Sequence, residues 1–370
     1  MEQTKKSARV VISGGGTGGH LFPAMAIADA LKKIDPATEI LFVGALGKIE
    51  MERVPAAGYE IIGLDIRGLQ RSLSFENLKF PIRLIKSLRK SFNIVKNFKP
   101  DVAVGVGGYA SGPLLYAASL KGVPTVIQEQ NSYPGVTNKL LAKRAAKICV
   151  AYENMDRFFP ADKLMLTGNP VRKDILAIEG KKEEAASFFG LSPEKKTIFL
   201  TGGSLGARTL NESILEHLHE FKDQSIQLIW QCGKFYYNSL KQQFNEAEYP
   251  NVKLMEFVSR VDLAYALADI IVARAGASTI SELCLVKKPA ILVPSPNVAE
   301  DHQTKNAMAL VNKQAAILVK DAVAKTELVP VAMRLIANEE KKQKLANNIA
   351  ELGLKDSAVV IANEILKLIQ

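Results

Sequence analysis

The 370-residue sequence has few cysteines, a single tryptophan, four histidines and no Asp-x-Asp pair. Its three cysteines, Cys149, Cys232 and Cys284, are odd in number and form no CxxC. That excludes a disulfide framework and a zinc ribbon, and points to a reducing compartment. Aromatic residues are only 7% of the chain, and no recognised stacking module accompanies the net charge of +10. A nucleic-acid partner is therefore not expected. Charged residues at 23% beside 48% hydrophobic residues exclude a disordered, collagen-like or polytopic membrane chain. The uncharged stretch 102–120 is nearly long enough to span a bilayer. It contains Gly105, Gly107, Gly108, Gly112 and Pro113, however, and reads better as a strand, a glycine loop and a new helix. The opening Met-Glu-Gln-Thr-Lys-Lys runs straight into a short apolar strand, which is not the pattern of a signal peptide.

The length suits two domains of ordinary size. Apolar strand patterns at 9–13, 39–43, 102–106, 124–128 and 147–151 alternate with loops and helical stretches. After Asn169-Pro170 the series restarts, with strands at 197–201, 226–231, 252–257, 270–273 and 290–293. Such alternation predicts an α/β chain with two Rossmann-like parallel-sheet domains facing across a cleft. Active groups then belong at the carboxyl ends of the strands. Residues 1–168 form the first expected domain and 169–349 the second. A last helix, about 357–368 within the segment 350–370, is expected to pack back on the first.

The positive charge is concentrated. Between Arg67 and Lys99 lie nine basic residues and one acid, Glu76, leaving the rest of the chain nearly neutral. Leu73, Phe75, Leu78 and Phe80 are interleaved with Lys79 and Arg83, as suits an anionic membrane surface. These four apolar residues read equally as membrane contacts or as buried groups. Ile82, Ile85, Leu88, Phe92 and Val95 recur at helical spacing and are expected to form the buried stripe of a surface helix.

Three strand-to-helix junctions carry glycine clusters: 14–19, 105–108 and 202–206. Glycine there lets backbone N–H groups approach an anion at a helix N-terminus, so phosphate-bearing ligands are expected. Gly14, Gly16 and Gly19 fit a dinucleotide pattern, but the second strand ends in Gly44-Ala45-Leu46-Gly47, with no acid for a ribose. A kinase-type loop fails too, since His20 follows Gly19. In the second half, Glu282 follows a strand-to-helix junction. It reads equally as a first-turn carboxylate for two ribose hydroxyls or as the partner of Thr279 in a capping box.

These stretches carry a resemblance. GGGTGGH at 14–20, GGYASGP at 107–113, EQN at 129–131, GNPVR at 168–172, GGSLGA at 202–207, AGASTISE at 275–282 and DHQTKNA at 301–307 resemble, in order, the MurG family of peptidoglycan glycosyltransferases. The resemblance implies a GT-B fold and inverting transfer of GlcNAc from UDP-GlcNAc to the lipid-linked muramoyl pentapeptide, lipid I. It implies lipid II as product, no cofactor, and a peripheral position on the cytoplasmic face of the inner membrane. Other cell-wall synthesis proteins come into view as partners.

By the same resemblance, Thr17, Gly18, Gly19 and Asn131 meet the donor. Arg172 and Ser204 bind the UDP side, Ser204 at a helix N-terminus, and the backbone at Val258 faces the uracil. Ala277, Ser278, Thr279, Ile280, Ser281 and Glu282 form the nucleotide loop, while His302 and Gln303 reach the sugar hydroxyls. Gly15, Gly16, Gly107, Gly108 and Tyr109 take the acceptor diphosphate. With no Asp-x-Asp, helix N-termini and Arg172 are expected to steady the leaving diphosphate without an obligatory metal. The general base is either His20, beside the first glycine loop, or Glu129. His217 and His219 read as solvated. A glycolipid synthase with the same donor and a noncatalytic nucleotide-sugar-binding scaffold are the alternative readings.

Overall fold

The computed structural model describes residues 7–68, 80–171 and 174–369. The chain divides into two compact units, Met1–Val171 with Lys355–Gln370, and Arg172–Leu354. Numbered along the described chain, the first unit holds β1 Arg9–Gly14, α1 Gly18–Ile34, β2 Glu39–Ala45, α2 Glu50–Ala56 and β3 Glu60–Leu64. It continues with α3 Phe80–Phe98, β4 Val102–Gly107, α4 Ser111–Leu120, β5 Thr125–Glu129, α5 Val136–Leu141, β6 Lys147–Val150 and β7 Leu164–Leu166. The second unit holds α6 Lys182–Phe189, β8 Lys196–Thr201, α7 Arg208–Glu216, β9 Ile226–Gln231, α8 Tyr237–Gln243, β10 Val252–Met255 and α9 Val261–Leu267. It ends with β11 Ile270–Ala273, α10 Ala277–Val286, β12 Ala290–Leu292, α11 His302–Val311, β13 Ile317–Leu318, α12 Asp321–Ala337 and α13 Glu339–Ala350. The closing helix, α14 Ser357–Lys367, returns to the first unit.

Each unit is one parallel sheet, ordered β3-β2-β1-β4-β5-β6-β7 in the first and β10-β9-β8-β11-β12-β13 in the second. Parallel strands need helical crossovers, which cover both faces and make the strands apolar throughout. In β1, Val10 and Ile12 face α1 and α14, while Val11 faces the cluster containing Leu114, Leu115 and Ile94. Ile361 and Ile365 hold α14 in place; fully burying each side chain contributes about 1.5–3 kcal/mol. The second unit packs Leu200, Trp230 and Val272 against Leu210 of α7 and Leu328 of α12, with the Trp230 indole N–H donating to Asn211 Oδ1 at 2.9 Å.

The strands missing from the sequence reading, β3, β7 and β13, are sheet edges, where short runs are only partly buried and the apolar signal is weak. Helix α3 bears out Phe92 and Val95 of the expected stripe, which meet the core, and corrects Ile82 and Ile85. Ser87, Ser91, Ile94 and Val95 are its buried residues, while Ile82 and Ile85 are 58% and 50% exposed. Two small serines let this face approach the core, and Ser87 donates to the Asp65 carbonyl at 3.1 Å. The charge-free stretch 102–120 is a strand, a loop and a helix, and among the described residues no helix is long and apolar enough to cross a membrane.

Candidate functional site

In the first sheet, β1 and β4 are neighbours although β2 and β3 lie between them in sequence. At such a switch point the loops leave in opposite directions and open a crevice beyond the strand carboxyl ends. Both loops here are glycine clusters. The pairing slips by one residue at its end, Ser13 facing Gly105 and Gly14 facing Gly107. Gly107 and Gly108 have φ of 104° and 88°, a region glycine alone enters without cost. A Cβ on Gly108 would stand 2.4 Å from the Gly15 carbonyl oxygen, and one on Gly107 would stand 2.4 Å from Cδ2 of His20. The two loops therefore touch backbone to backbone. The Ser111 hydroxyl lies 3.0 Å from the Ser13 carbonyl and 2.8 Å from that of Gly107, sharing one proton between the strands.

Helix α1 begins at Gly18, so Gly18, Gly19 and His20 form its first turn and Thr17 is the N-cap. N–H groups of a first turn have no partner four residues back, which leaves Gly18 and Gly19 able to meet an anion. His20 is half-buried, its Nδ1 3.3 Å from Thr17 Oγ1 and its other edge against Gly107. Tyr109 is 49% exposed beside the loops.

Glu129, at the end of β5, is only 2% exposed. Its Oε1 accepts from the backbone N–H of Asn131 at 3.0 Å and the Asn131 amide at 3.2 Å. Its Oε2 accepts from Gly135 N–H at 3.2 Å and Asn138 Nδ2 at 2.8 Å. Burial pushes this carboxyl above its ordinary value, against the opposing pull of those donors. With both oxygens engaged by its own loop, Glu129 is built as a loop organiser. The side chain sequence reading missed is Glu50, 1% exposed, which joins the end of β2 to the first glycine loop. No local pattern marks it.

The second sheet has its switch point between β8 and β11. A pocket of about 930 Å³ opens there, walled by the 201–209 segment, Arg274, Gly276, Thr279, Gln303 and Asp321 among others. Gly203 and Gly206 have φ of 83° and 86°, and a Cβ on Gly206 would stand 2.1 Å from the Cys232 carbonyl. Ser204 lies in this turn and lines the pocket, but α7 starts only at Arg208, so Ser204 is not at a helix N-terminus. The six residues 202–207 carry the chain over the 232–233 backbone before the helix forms.

Helix α10 starts at Ala277 with Gly276 as N-cap, which places Glu282 in the second turn and removes the capping box with Thr279. Glu282 is half-buried, and its Oε2 accepts from the Tyr265 hydroxyl at 2.9 Å. Ile280 is 2% exposed, so its side chain belongs to the core. Ala277, Ser278 and Ser281 are half-buried on the same helix, outside the pocket wall. Gln303 accepts from Ser295 N–H at 2.8 Å, and His302 opens α11 after two left-handed residues, Glu300 and Asp301. The buried Val258 donates its N–H to Gln231 Oε1 at 2.9 Å. Arg274, directly after β11, pairs with Asp321 at 2.5 Å and donates to the Val293 carbonyl at 3.1 Å.

Leu73, Phe75, Leu78, Lys79 and Arg172 lie outside the described residues. Phe80 is half-buried at the start of α3, and Arg83 approaches Asp65 at 3.8 Å. His219 is exposed, but His217 is half-buried with Nδ1 3.0 Å from the Ser213 carbonyl oxygen, so only the former is solvated as expected. All three cysteines are buried free thiols, and burial pushes Cys149 and Cys284 up to about 12, which removes them as nucleophiles.

Comparison with known proteins matches residues 10–150 to the glycosyltransferase family 28 N-terminal domain and 197–361 to the glycosyltransferase family 28 C-terminal domain. The chain is 57% identical to the UDP-N-acetylglucosamine–N-acetylmuramyl-(pentapeptide) pyrophosphoryl-undecaprenol N-acetylglucosamine transferase of Bacteroides fragilis, over 98% of this chain and 96% of that one. It is 53% identical to the protein of the same name from Flavobacterium psychrophilum, over 100% and 99% of the two chains. Its fold is similar to the crystal structure of Acinetobacter baumannii MurG, with a TM-score of 0.78, 27% identity, and coverage of 97% and 99%. With a GT-B architecture of two parallel α/β units and matches running through both, the chain belongs to glycosyltransferase family 28, in its MurG branch.

Proposed function

We propose that this chain transfers GlcNAc from UDP-GlcNAc to the C4 hydroxyl of MurNAc in undecaprenyl-diphospho-MurNAc-pentapeptide, lipid I, with inversion, giving lipid II for peptidoglycan synthesis. The observation that carries this reading is the 57% identity over 98% of the chain with a transferase of that name. The site chemistry supports it. Inversion needs attack by the acceptor hydroxyl opposite the departing UDP, a base for the hydroxyl proton, and donors for the charge growing on the diphosphate.

The second unit binds the donor. The diphosphate lies over the glycine turn around Ser204 and the N-terminus of α10, whose dipole favours negative charge. Glu282 takes the ribose, Val258 the uracil, and Gln303 with His302 the sugar hydroxyls. Because the Val258 N–H is already given to Gln231, its carbonyl is the group left for the base. Arg172 adds positive charge on the UDP side. The first unit handles the acceptor: Gly15, Gly107, Gly108 and Tyr109 border its diphosphate, and His20 accepts the hydroxyl proton. Glu129 keeps the loop carrying Asn131 in shape.

The protein works as a peripheral membrane enzyme on the cytoplasmic face. Positions 82, 85, 86 and 89 share one face of α3, setting exposed Ile82 and Ile85 beside exposed Lys86 and Arg89. That pairing suits an interface of acyl chains and anionic headgroups.

The test is UDP release from UDP-GlcNAc, with and without lipid I in detergent, in the presence of EDTA. Release that requires lipid I and persists in EDTA is the expected result. Tight UDP-GlcNAc binding with no release would move the acceptor to another lipid or make the chain a binding scaffold.

A further inference from the structure

We infer that Glu50 is a positioning residue that sets the first glycine loop for the acceptor diphosphate, an inference that rests on the acceptor reading of that loop. Glu50 opens helix α2, yet its carboxylate leaves that helix and lies under the switch point, 1% exposed. Its Oε1 accepts from Ala45 N–H at 3.0 Å, at the end of β2, and its Oε2 accepts from Gly16 N–H at 2.8 Å, within the loop. The side chain fills the space that two other residues leave empty. A Cβ on Gly15 would stand 2.3 Å from its Cδ, and one on Gly44 would stand 2.6 Å from its Cγ. Gly15 and Gly44 are thus glycines because Glu50 is there.

The consequence for ligand binding is directional. Gly16, at φ 82°, turns its N–H inward to Glu50, and a Cβ built on it would meet nothing within 4 Å. The outer side of the loop is open, but the Gly16 N–H is not on offer to a phosphate there. Donors for an anion must come from the groups around it, the 107–109 loop and the first turn of α1. A carboxylate is the side chain suited to this work, because both its oxygens only accept. Glutamine can satisfy one N–H, but its NH₂ then opposes the other donor. Aspartate keeps the charge and is one methylene too short to reach both.

Steady-state kinetics of Glu50→Gln and Glu50→Asp, with lipid I and UDP-GlcNAc each varied, test the role. Losing a charge-assisted hydrogen bond in the loop is expected to raise KM for lipid I by about ten- to a hundredfold. KM for UDP-GlcNAc is expected to stay within about threefold. Hydrogen exchange across 14–21 should quicken in the variants while the second unit is unchanged. Wild-type-like KM for both substrates overturns the inference, and so does a lowered Tm with both KM values unchanged. A rise in KM for UDP-GlcNAc alone sustains the hold on the loop and overturns the acceptor reading. The unmodified protein supplies a check that needs no variant: the Gly16 and Ala45 amides must exchange slowly, and rapid exchange at either overturns the inference.

Discussion

Gln231 holds the backbone N–H of Val258 at 2.9 Å with its Oε1, and its Nε2 donates to the Thr201 hydroxyl, also at 2.9 Å. That hydroxyl in turn accepts the N–H of Gly203 at 3.1 Å. One buried amide therefore ties the glycine turn after β8 to the segment after β10, the two places assigned to diphosphate and uracil. Gln231→Leu keeps the volume and removes both bonds. It should weaken UDP binding by about tenfold, read by calorimetry, because two loops lose their common anchor. Unchanged UDP affinity would separate Gln231 from the donor site.

His20 and Glu129 predict opposite phenotypes. His20→Ala should lower kcat by about a hundred- to ten-thousandfold, the usual worth of a general base, with UDP-GlcNAc affinity within a few-fold of normal. Glu129→Gln replaces one accepting oxygen with an NH₂ group facing N–H donors, so its main effect should be a lower Tm and a loosened 130–138 loop. If Glu129→Gln instead keeps its Tm and loses kcat while His20→Ala turns over normally, the proton goes to Glu129.

Acid should loosen the second unit through Asp262. The Arg260 guanidinium bonded to Asp262, with Lys181 at 3.2 Å, holds this carboxyl well below the usual carboxylate range. A depressed carboxylate contributes stability that is present above its unfolded pKa and lost as pH falls through the folded one. Thermal melts should therefore show a decline on acidification below about pH 4, the ordinary aspartate value. Asp262→Asn should flatten part of that decline and lower Tm at neutral pH. An unaltered pH profile would remove Asp262 as its source.

Ile82→Glu with Ile85→Glu should reduce binding to phosphatidylglycerol vesicles by at least about tenfold, since two exposed apolar groups are lost and two like charges face the lipid. Activity on lipid I in detergent should be nearly unchanged. Co-sedimentation at two salt concentrations checks this, and full retention on vesicles would place the membrane contact elsewhere.

Much of the fold was legible because parallel strands buried on both faces are continuous apolar runs. The strands that escaped notice, β3, β7 and β13, are edges with weak burial. The stripe of α3 was read correctly where Phe92 and Val95 meet the core and misplaced in the first turns, where Ser87 rather than Ile82 and Ile85 faces inward. Local turn length was equally illegible: Ser204 and Glu282 each sit several residues from the helix start their motifs implied, because turns follow the backbone they must clear.

By itself the sequence determined the two βα series, the glycine clusters at their turns and the motifs that place the chain in its family. Those properties are local, written in neighbouring residues. Which polar groups remain available for chemistry was decided only by tertiary structure. The Gly16 N–H is spent on Glu50, 34 residues away, and the Val258 N–H on Gln231, 27 residues away. A hydrogen bond between groups far apart in the chain leaves no periodicity behind, so only the folded arrangement can show which donors and acceptors it has already taken.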